Sequence, residues 1–173
     1  SGDRAIVEGS DGEMSTSTGR LMMIDLKDGS VIWSLESYGN ITVVGNILYG
    51  YLVPSVGTEA IMFDKHGHEE SAVPGFYALD SDTGRYIWKN PSADVTKSGL
   101  LFCNGLLYSM DYSPGTEWPN GGAVRCIDPD SGQFVWSFKI EPFNGLCYSM
   151  SSPTIVDGKI YVTNDEGFVY CLS

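Results

Sequence analysis

One nine-residue pattern occurs three times in this chain and limits what the chain can fold into. The copies are Asp25-Leu-Lys-Asp-Gly-Ser-Val-Ile-Trp33, Asp80-Ser-Asp-Thr-Gly-Arg-Tyr-Ile-Trp88 and Asp128-Pro-Asp-Ser-Gly-Gln-Phe-Val-Trp136. Each has Asp first, Gly fifth (Gly29, Gly84, Gly132) and Trp ninth. A fourth copy begins at Tyr170-Cys-Leu-Ser173, with Ser173 in the Asp slot. Successive slots lie 55, 48 and 45 residues apart. Self-similarity at such a period marks an array of supersecondary units.

Short apolar runs flank each copy. Residues 41–44 and 47–51 enclose Gly45-Asn46, residues 100–103 and 106–109 enclose Asn104-Gly105, and residues 154–156 and 159–163 enclose Asp157-Gly158. Such dipeptides supply the positive φ of tight hairpin turns. No segment keeps a 3.6-residue apolar period over three turns, so no helix is expected. Tyr49, Tyr108 and Tyr161 align, as do Met23, Ala78, Cys126 and Cys171 two residues before each Asp slot. With strands A to D in each unit, A–B is the Asn-Gly-type turn, B–C a variable connection and C–D the Asp-x-x-x-Gly turn. Four-stranded antiparallel units at this period read as blades of a β-propeller. The expected fold is all-β, one partial propeller over 1–173 with blade units near 3–36, 40–90, 98–138 and 152–173.

The aligned pattern, an apolar residue and Asp followed by Gly and Trp at fixed offsets, resembles the pyrroloquinoline-quinone-like propeller repeat. The resemblance covers nearly the whole chain outside the B–C insertions. It implies that Asp and Gly shape the C–D turn and that Trp33, Trp88 and Trp136 pack between blades, mostly buried. Propellers built on the repeat that this pattern resembles close with seven or eight blades, which at roughly 45 residues per blade needs 300 residues or more, so the resemblance implies that the chain carries about half a ring. Either a longer chain or a homo-oligomer supplies the remaining blades, because bare blade faces and open strand edges invite pairing. That repeat is found in quinoprotein alcohol dehydrogenases, in an outer-membrane assembly lipoprotein and in many secreted or cell-surface proteins. The dehydrogenases carry an adjacent Cys-Cys pair beside their cofactor. The four cysteines here, Cys103, Cys126, Cys147 and Cys171, are never neighbours. Pyrroloquinoline quinone and calcium are therefore not expected. The acidic turns reach Trp at position nine and lack the bidentate Glu that ends an EF-hand-type loop.

Charge narrows the partners. Ten basic against 22 acidic residues give a net charge of −12, which repels phosphate backbones and anionic lipid, so no nucleic-acid partner is expected. No apolar run approaches the length of a membrane span. The chain opens at Ser1-Gly-Asp with no basic-then-apolar leader, so any signal peptide is expected to be already absent. The cysteines lack metal-type spacing and read as buried free thiols.

Function is expected on the insertions 9–18, 53–74, 89–98, 111–122 and 138–151, because variable loops on a rigid scaffold carry binding. Two groups of candidate residues follow. His66, His68 and Glu70 in Asp64-Lys-His-Gly-His-Glu-Glu could share a face of an extended segment and hold a transition metal. Tyr112 and Trp118, the latter outside the repeat, could anchor a protein or glycan partner. No catalytic motif is present. The reading is a non-enzymatic scaffold or binding module of an extracytoplasmic or cell-surface protein. The alternatives are a segment of a quinone-dependent dehydrogenase and an assembly factor that binds peptides by strand addition.

Overall fold

The computed structural model describes residues 3–10, 19–54, 61–91, 95–96, 98–113, 121–140, 152–164 and 167–173. Every regular element among them is a β-strand and every ladder antiparallel. Contacts divide the chain into two compact units, residues 1–39 with 43–91 and residues 40–42 with 92–173.

The first unit opens with β1 (Arg4–Ser10), β2 (Gly19–Asp25) and β3 (Val31–Leu35), paired in that order. A second sheet contains β4 (Ser37–Val44) and β5 (Ile47–Pro54). Between β5 and the rest of that sheet lies a two-stranded hairpin, β6 (Ile61–Phe63) with β7 (Glu69–Ser71). The sheet resumes with β8 (Gly75–Asp80) and β9 (Tyr86–Pro91), giving the order β4-β5-β8-β9. In β8, residues 75–79 are all buried, and Phe76 and Tyr51 meet edge-on with ring centroids 5.2 Å apart.

The second unit holds β10 (Val95–Thr96), β11 (Leu101–Cys103), β12 (Leu106–Ser113), β13 (Gly121–Ile127) and β14 (Phe134–Ile140) in one sheet. Another sheet comprises β15 (Thr154–Val156), β16 (Lys159–Thr163) and β17 (Val169–Leu172). The core of this unit packs Tyr108, Met110, Val124, Cys126 and Ile140 against Ile160 and Val162.

The repeated residues do the same work in each hairpin. Asp25, Asp80 and Asp128 accept backbone N–H groups two residues on at 2.8, 3.1 and 2.9 Å. Their carbonyls accept the N–H of Gly29, Gly84 and Gly132, which sit at φ of 75°, 68° and 72°. Only glycine enters that region without steric cost. Trp33, Trp88 and Trp136 each stand opposite the residue two before the Asp slot, Met23, Ala78 and Cys126. Immediately after that pair each ladder slips by one residue, leaving Ile32, Ile87 and Val135 as the extra residue of a β-bulge. The cross-strand rows explain the aligned small residues. Tyr49 faces Ala78, which faces Trp88, and Tyr108 faces Cys126, which faces Trp136. Over each small residue the two rings meet, with centroids 6.1 Å apart in both rows. Cys126 therefore fills a narrow packing position. Burial pushes its thiol pKa up. Cys103, Cys126 and Cys171 are unbridged, although Cys171 is exposed. Cys147 lies outside the described residues.

The tryptophans differ in how far they are covered. Trp33 and Trp88 are half-buried, and Trp136 is 37% exposed. Trp33 has the Ser81–Gly84 turn of the following hairpin against it, and its indole N–H donates to the Ser81 carbonyl at 2.9 Å. Trp136 instead lines an open groove of about 490 Å³ with Phe138, Cys171 and Leu172. Among the described residues no Asp-Gly turn covers it.

Gly84 is thus constrained twice. A Cβ there would lie 2.7 Å from Cδ2 of Trp33, whereas one at Gly29, at nearly the same φ, would meet nothing within 4 Å. Gly29→Ala should cost only the left-handed backbone penalty, about 1–2 kcal/mol. Gly84→Ala should cost about 3 kcal/mol or more, because displacement of a packed aromatic is added. Urea unfolding of the two variants checks this. Equal losses would mean that the Trp33 contact is loose.

Candidate functional site

In an antiparallel sheet of strands A to D, the A–B and C–D turns lie at one end and the B–C connection at the other. The first end is closed by tight turns at Gly45-Asn46, Asn104-Gly105 and Asp157-Gly158, with positive φ at Gly45, Asn104, Gly105, Asp157 and Gly158. In the first unit, the Gly45-Asn46 turn is bound to the Asp80–Gly84 turn through Asn46, Ser81 and Asp82, and Arg4 pairs with Asp82. The insertions emerge at the other end.

The insertion between β5 and β8 is folded rather than open. Asp64 organises it. One carboxylate oxygen accepts the N–H groups of His66 and His68, each at 2.8 Å, and the other faces Nδ1 of His68 at 2.9 Å. Asp64 N–H donates to the His68 carbonyl and Gly67 N–H to the Asp64 carbonyl. Asn164 and Gly167, between β16 and β17, repeat this wiring: Phe168 N–H donates to Oδ1 of Asn164, and Gly167 N–H to its carbonyl. Asx-x-x-Gly is therefore a shared turn form, and the histidines of 64–68 are incidental to it. Burial works upward on the Asp64 carboxyl. The hydrogen bonds from the His68 N–H, the His68 ring and the His66 N–H outweigh it and hold the pKa down at about 2.

This wiring bears on the metal candidates. Glu70 points away from the turn to an ion pair with Lys89, and the Tyr86 hydroxyl also bonds to it. Burial first, then Glu70, pushes the Tyr86 hydroxyl up to about 12. Among the described residues no three His, Cys, Asp or Glu side chains come together as metal ligands. His66, His68 and Glu70 are not brought to one point.

The second candidate pair lies largely outside the described residues. Trp118 belongs to the segment 114–120. Tyr112 is placed by its backbone alone, in β12 opposite Val95 and Gly122. Strands β12 and β13 also share a buried ion pair that the repeat pattern does not reveal. Arg125 Nε donates to Asp111 Oδ2 at 2.7 Å, Arg125 Nη1 to Ser137 Oγ at 3.1 Å and Ser109 Oγ to Asp111 Oδ1 at 2.8 Å. The guanidinium also lies 4.6 Å from the Phe134 ring centroid. Asp111 and Arg125 are 1% and 4% exposed. Charges taken out of water persist only with such complete hydrogen bonding. Their position fixes β12 and β13 together where the insertion 111–122 leaves the sheet. The signal was a Ser, an Asp and an Arg at inward positions of otherwise apolar strands.

A groove of about 280 Å³ runs beside the folded insertion. It is lined by Trp33, Ser34 and Leu35 of β3, Ile61 and Phe63 of β6, and Thr83, Gly84 and Arg85. Strand alternation turns Met62 inward, 2% exposed, and leaves Ile61 and Phe63 at 46% and 40%.

Protonation should loosen the 64–68 turn. The folded pKa of Asp64 is depressed, so its stabilising effect is present above the unfolded value near 4 and lost as pH falls toward 2. Amide exchange at His66 and His68 should accelerate over that interval, and Asp64→Asn should abolish the pH dependence. Pointing the other way would be protection that stays constant down to pH 2.

No protein-family model matches the chain. Two curated proteins are similar. The chain is 26% identical over 160 residues to the outer membrane protein assembly factor BamB of Salmonella typhimurium, covering 90% of this chain and 32% of that protein. It is 29% identical over 92 residues to the quinohemoprotein alcohol dehydrogenase ADH-IIG of Pseudomonas putida, covering 51% of this chain and 13% of that enzyme. It thus spans about a third of the first relative and less of the second. Among solved structures, BamB of Moraxella catarrhalis superposes with a TM-score of 0.63 at 14% identity, over 98% of this chain and 46% of that one. The quinohemoprotein alcohol dehydrogenase of Comamonas testosteroni gives 0.58 at 14%, over 94% and 28%. These neighbours are β-propellers, and the chain shares their fold.

Proposed function

We propose that this chain is part of a β-propeller, about half of a seven- or eight-bladed ring, that acts as a non-enzymatic binding module of an extracytoplasmic protein. It presents its B–C and D–A insertions to a protein partner. The observation that carries this reading is the asymmetry of the sheet ends. Compact Asp-Gly, Asn-Gly and Gly-Asn turns close one end, and the other carries the insertions, one of them folded by Asp64 and another leaving from strands that the buried Asp111–Arg125 pair ties together. An ion pair buried between the two strands that carry a connection holds its ends in fixed positions, as a recognition loop requires. Similarity over 90% of the chain to a protein named as an outer membrane assembly factor agrees with an extracytoplasmic, protein-binding role.

A quinone-dependent dehydrogenase segment is the second reading, favoured by the match to ADH-IIG over residues that make up half the chain. Against it, the four cysteines include no adjacent pair. The two readings are separated by photo-crosslinking in the cell and by cofactor retention. A crosslinking residue at position 63 or 69 should capture one discrete protein, while the same residue at 27 or 130, on the closed end, should capture none. Incubation with pyrroloquinoline quinone and calcium should leave no stoichiometric chromophore after gel filtration. Equal capture from both ends would refute the binding-face assignment, and a retained chromophore would favour the enzyme.

A further inference from the structure

The groove beside β6 combines three features that together specify a ligand. The first is backbone. β3 ends its sheet, whereas β6 pairs with β7 and is followed by Asp64, which bridges to Tyr86 of β9, so among the described residues the β3 wall presents a strand edge with main-chain donors and acceptors to an incoming chain. The second is apolar surface. The insertion is otherwise strongly polar from Asp64 to Glu70, yet β6 directs Ile61 and Phe63 outward beside the Trp33 and Leu35 wall. A solvated cover would carry polar side chains there.

The third is charge. The chain has ten Lys and Arg residues, and Arg4, Arg20, Lys27, Lys89 and Arg125 are all held in ion pairs. Arg85, at the groove, has no ion-pair partner among the described residues. Its guanidinium lies about 3.6 Å from where a Gly67 Cβ would project. This places the cation between the turn of the insertion and the groove floor. A guanidinium fork offers two parallel N–H donors to a carboxylate. The net charge of −12 repels a polyacidic segment at long range, so one local carboxylate fits better than several.

We propose that the groove between β3 and β6 binds an extended, mainly apolar segment of a protein partner that carries a single carboxylate for Arg85. The segment adds as a strand along an edge. Its alternate side chains fall on Ile61, Phe63 and Trp33, and its carboxylate reaches the guanidinium. This rests on the reading of the chain as a protein-binding module and names the chemistry that one of its insertions selects.

The test uses the chain itself and a fluorescein-labelled pentapeptide, Val-Glu-Val-Thr-Val with blocked ends, read by anisotropy. Saturable binding is expected, weakened at least tenfold by Arg85→Gln and by Phe63→Ser. Both side chains are exposed, and circular dichroism verifies the fold of each variant. Val135→Ser, at an exposed site in the other unit, should bind as the parent does. A peptide with Lys in place of Glu, or with N-methylated backbone, should bind at least tenfold more weakly. Absence of saturable binding, or indifference to Arg85→Gln or to N-methylation, would overturn the proposal. Crosslinking to a partner at positions 63 and 69 without peptide binding would remove the strand-addition groove and leave the binding-module reading in place.

Discussion

Trp33 packs against Gly84 of the following hairpin and donates its indole N–H to the Ser81 carbonyl. Most of the first unit follows from that contact. It requires a glycine, because any Cβ would enter the ring, and it requires the turn to hold its shape, which Asp80 secures by accepting the N–H groups of Asp82 and Thr83 and the Thr83 hydroxyl. It also requires the indole to project at a fixed height, which the bulge at Ile32, just before Trp33, and the Met23 pairing set. A residue pattern that looks like a simple turn thus joins one sheet to the next. Asp80 shapes the turn, Gly84 leaves it flat, and Trp33 of the preceding copy occupies the flat surface.

This division of labour leaves one end of the sheets with little to do beyond structure. Tight turns there are consumed by their own hydrogen bonds. The opposite end is built differently. Asp64 turns a polar insertion into an ordered hairpin whose β6 faces outward with two large apolar side chains, and Asp111 with Arg125 ties the base of another insertion. Both devices cost desolvation or ordering that a mere cover would not need. They make sense if the insertions must meet a partner in defined positions.

The strand order and the turns were legible because they depend on local chemistry: Asn-Gly and Asp-Gly pairs at positive φ, and apolar runs of three to five residues. The rows Tyr49–Ala78–Trp88 and Tyr108–Cys126–Trp136 were visible as an alignment, but their reason, two rings meeting over a small side chain, needed the register. The hairpin β6–β7 was hidden because Ile-Met-Phe is short and its turn, Asp64 to Gly67, contains both histidines, which drew attention as metal ligands. The same Asx-x-x-Gly form at Asn164 to Gly167, without histidine, shows the turn to be the cause. The Asp111–Arg125 pair depends on two strands facing inward together, a tertiary fact that spacing along one strand does not encode. The difference in cover among the three tryptophans was not legible for a related reason. How deeply an indole is covered depends on the next hairpin, and Trp136 has none over it among the described residues.

Hydrogen exchange of the indole N–H groups tests the central contact most directly. Trp33 Nε1–H, held by the Ser81 carbonyl, should exchange far more slowly than that of Trp136, which is 37% exposed and has no acceptor among the described residues. That protection should collapse in Gly84→Ala and persist in Gly29→Ala. Exchange at Trp33 as fast as at Trp136, or protection indifferent to the residue at 84, would contradict the account.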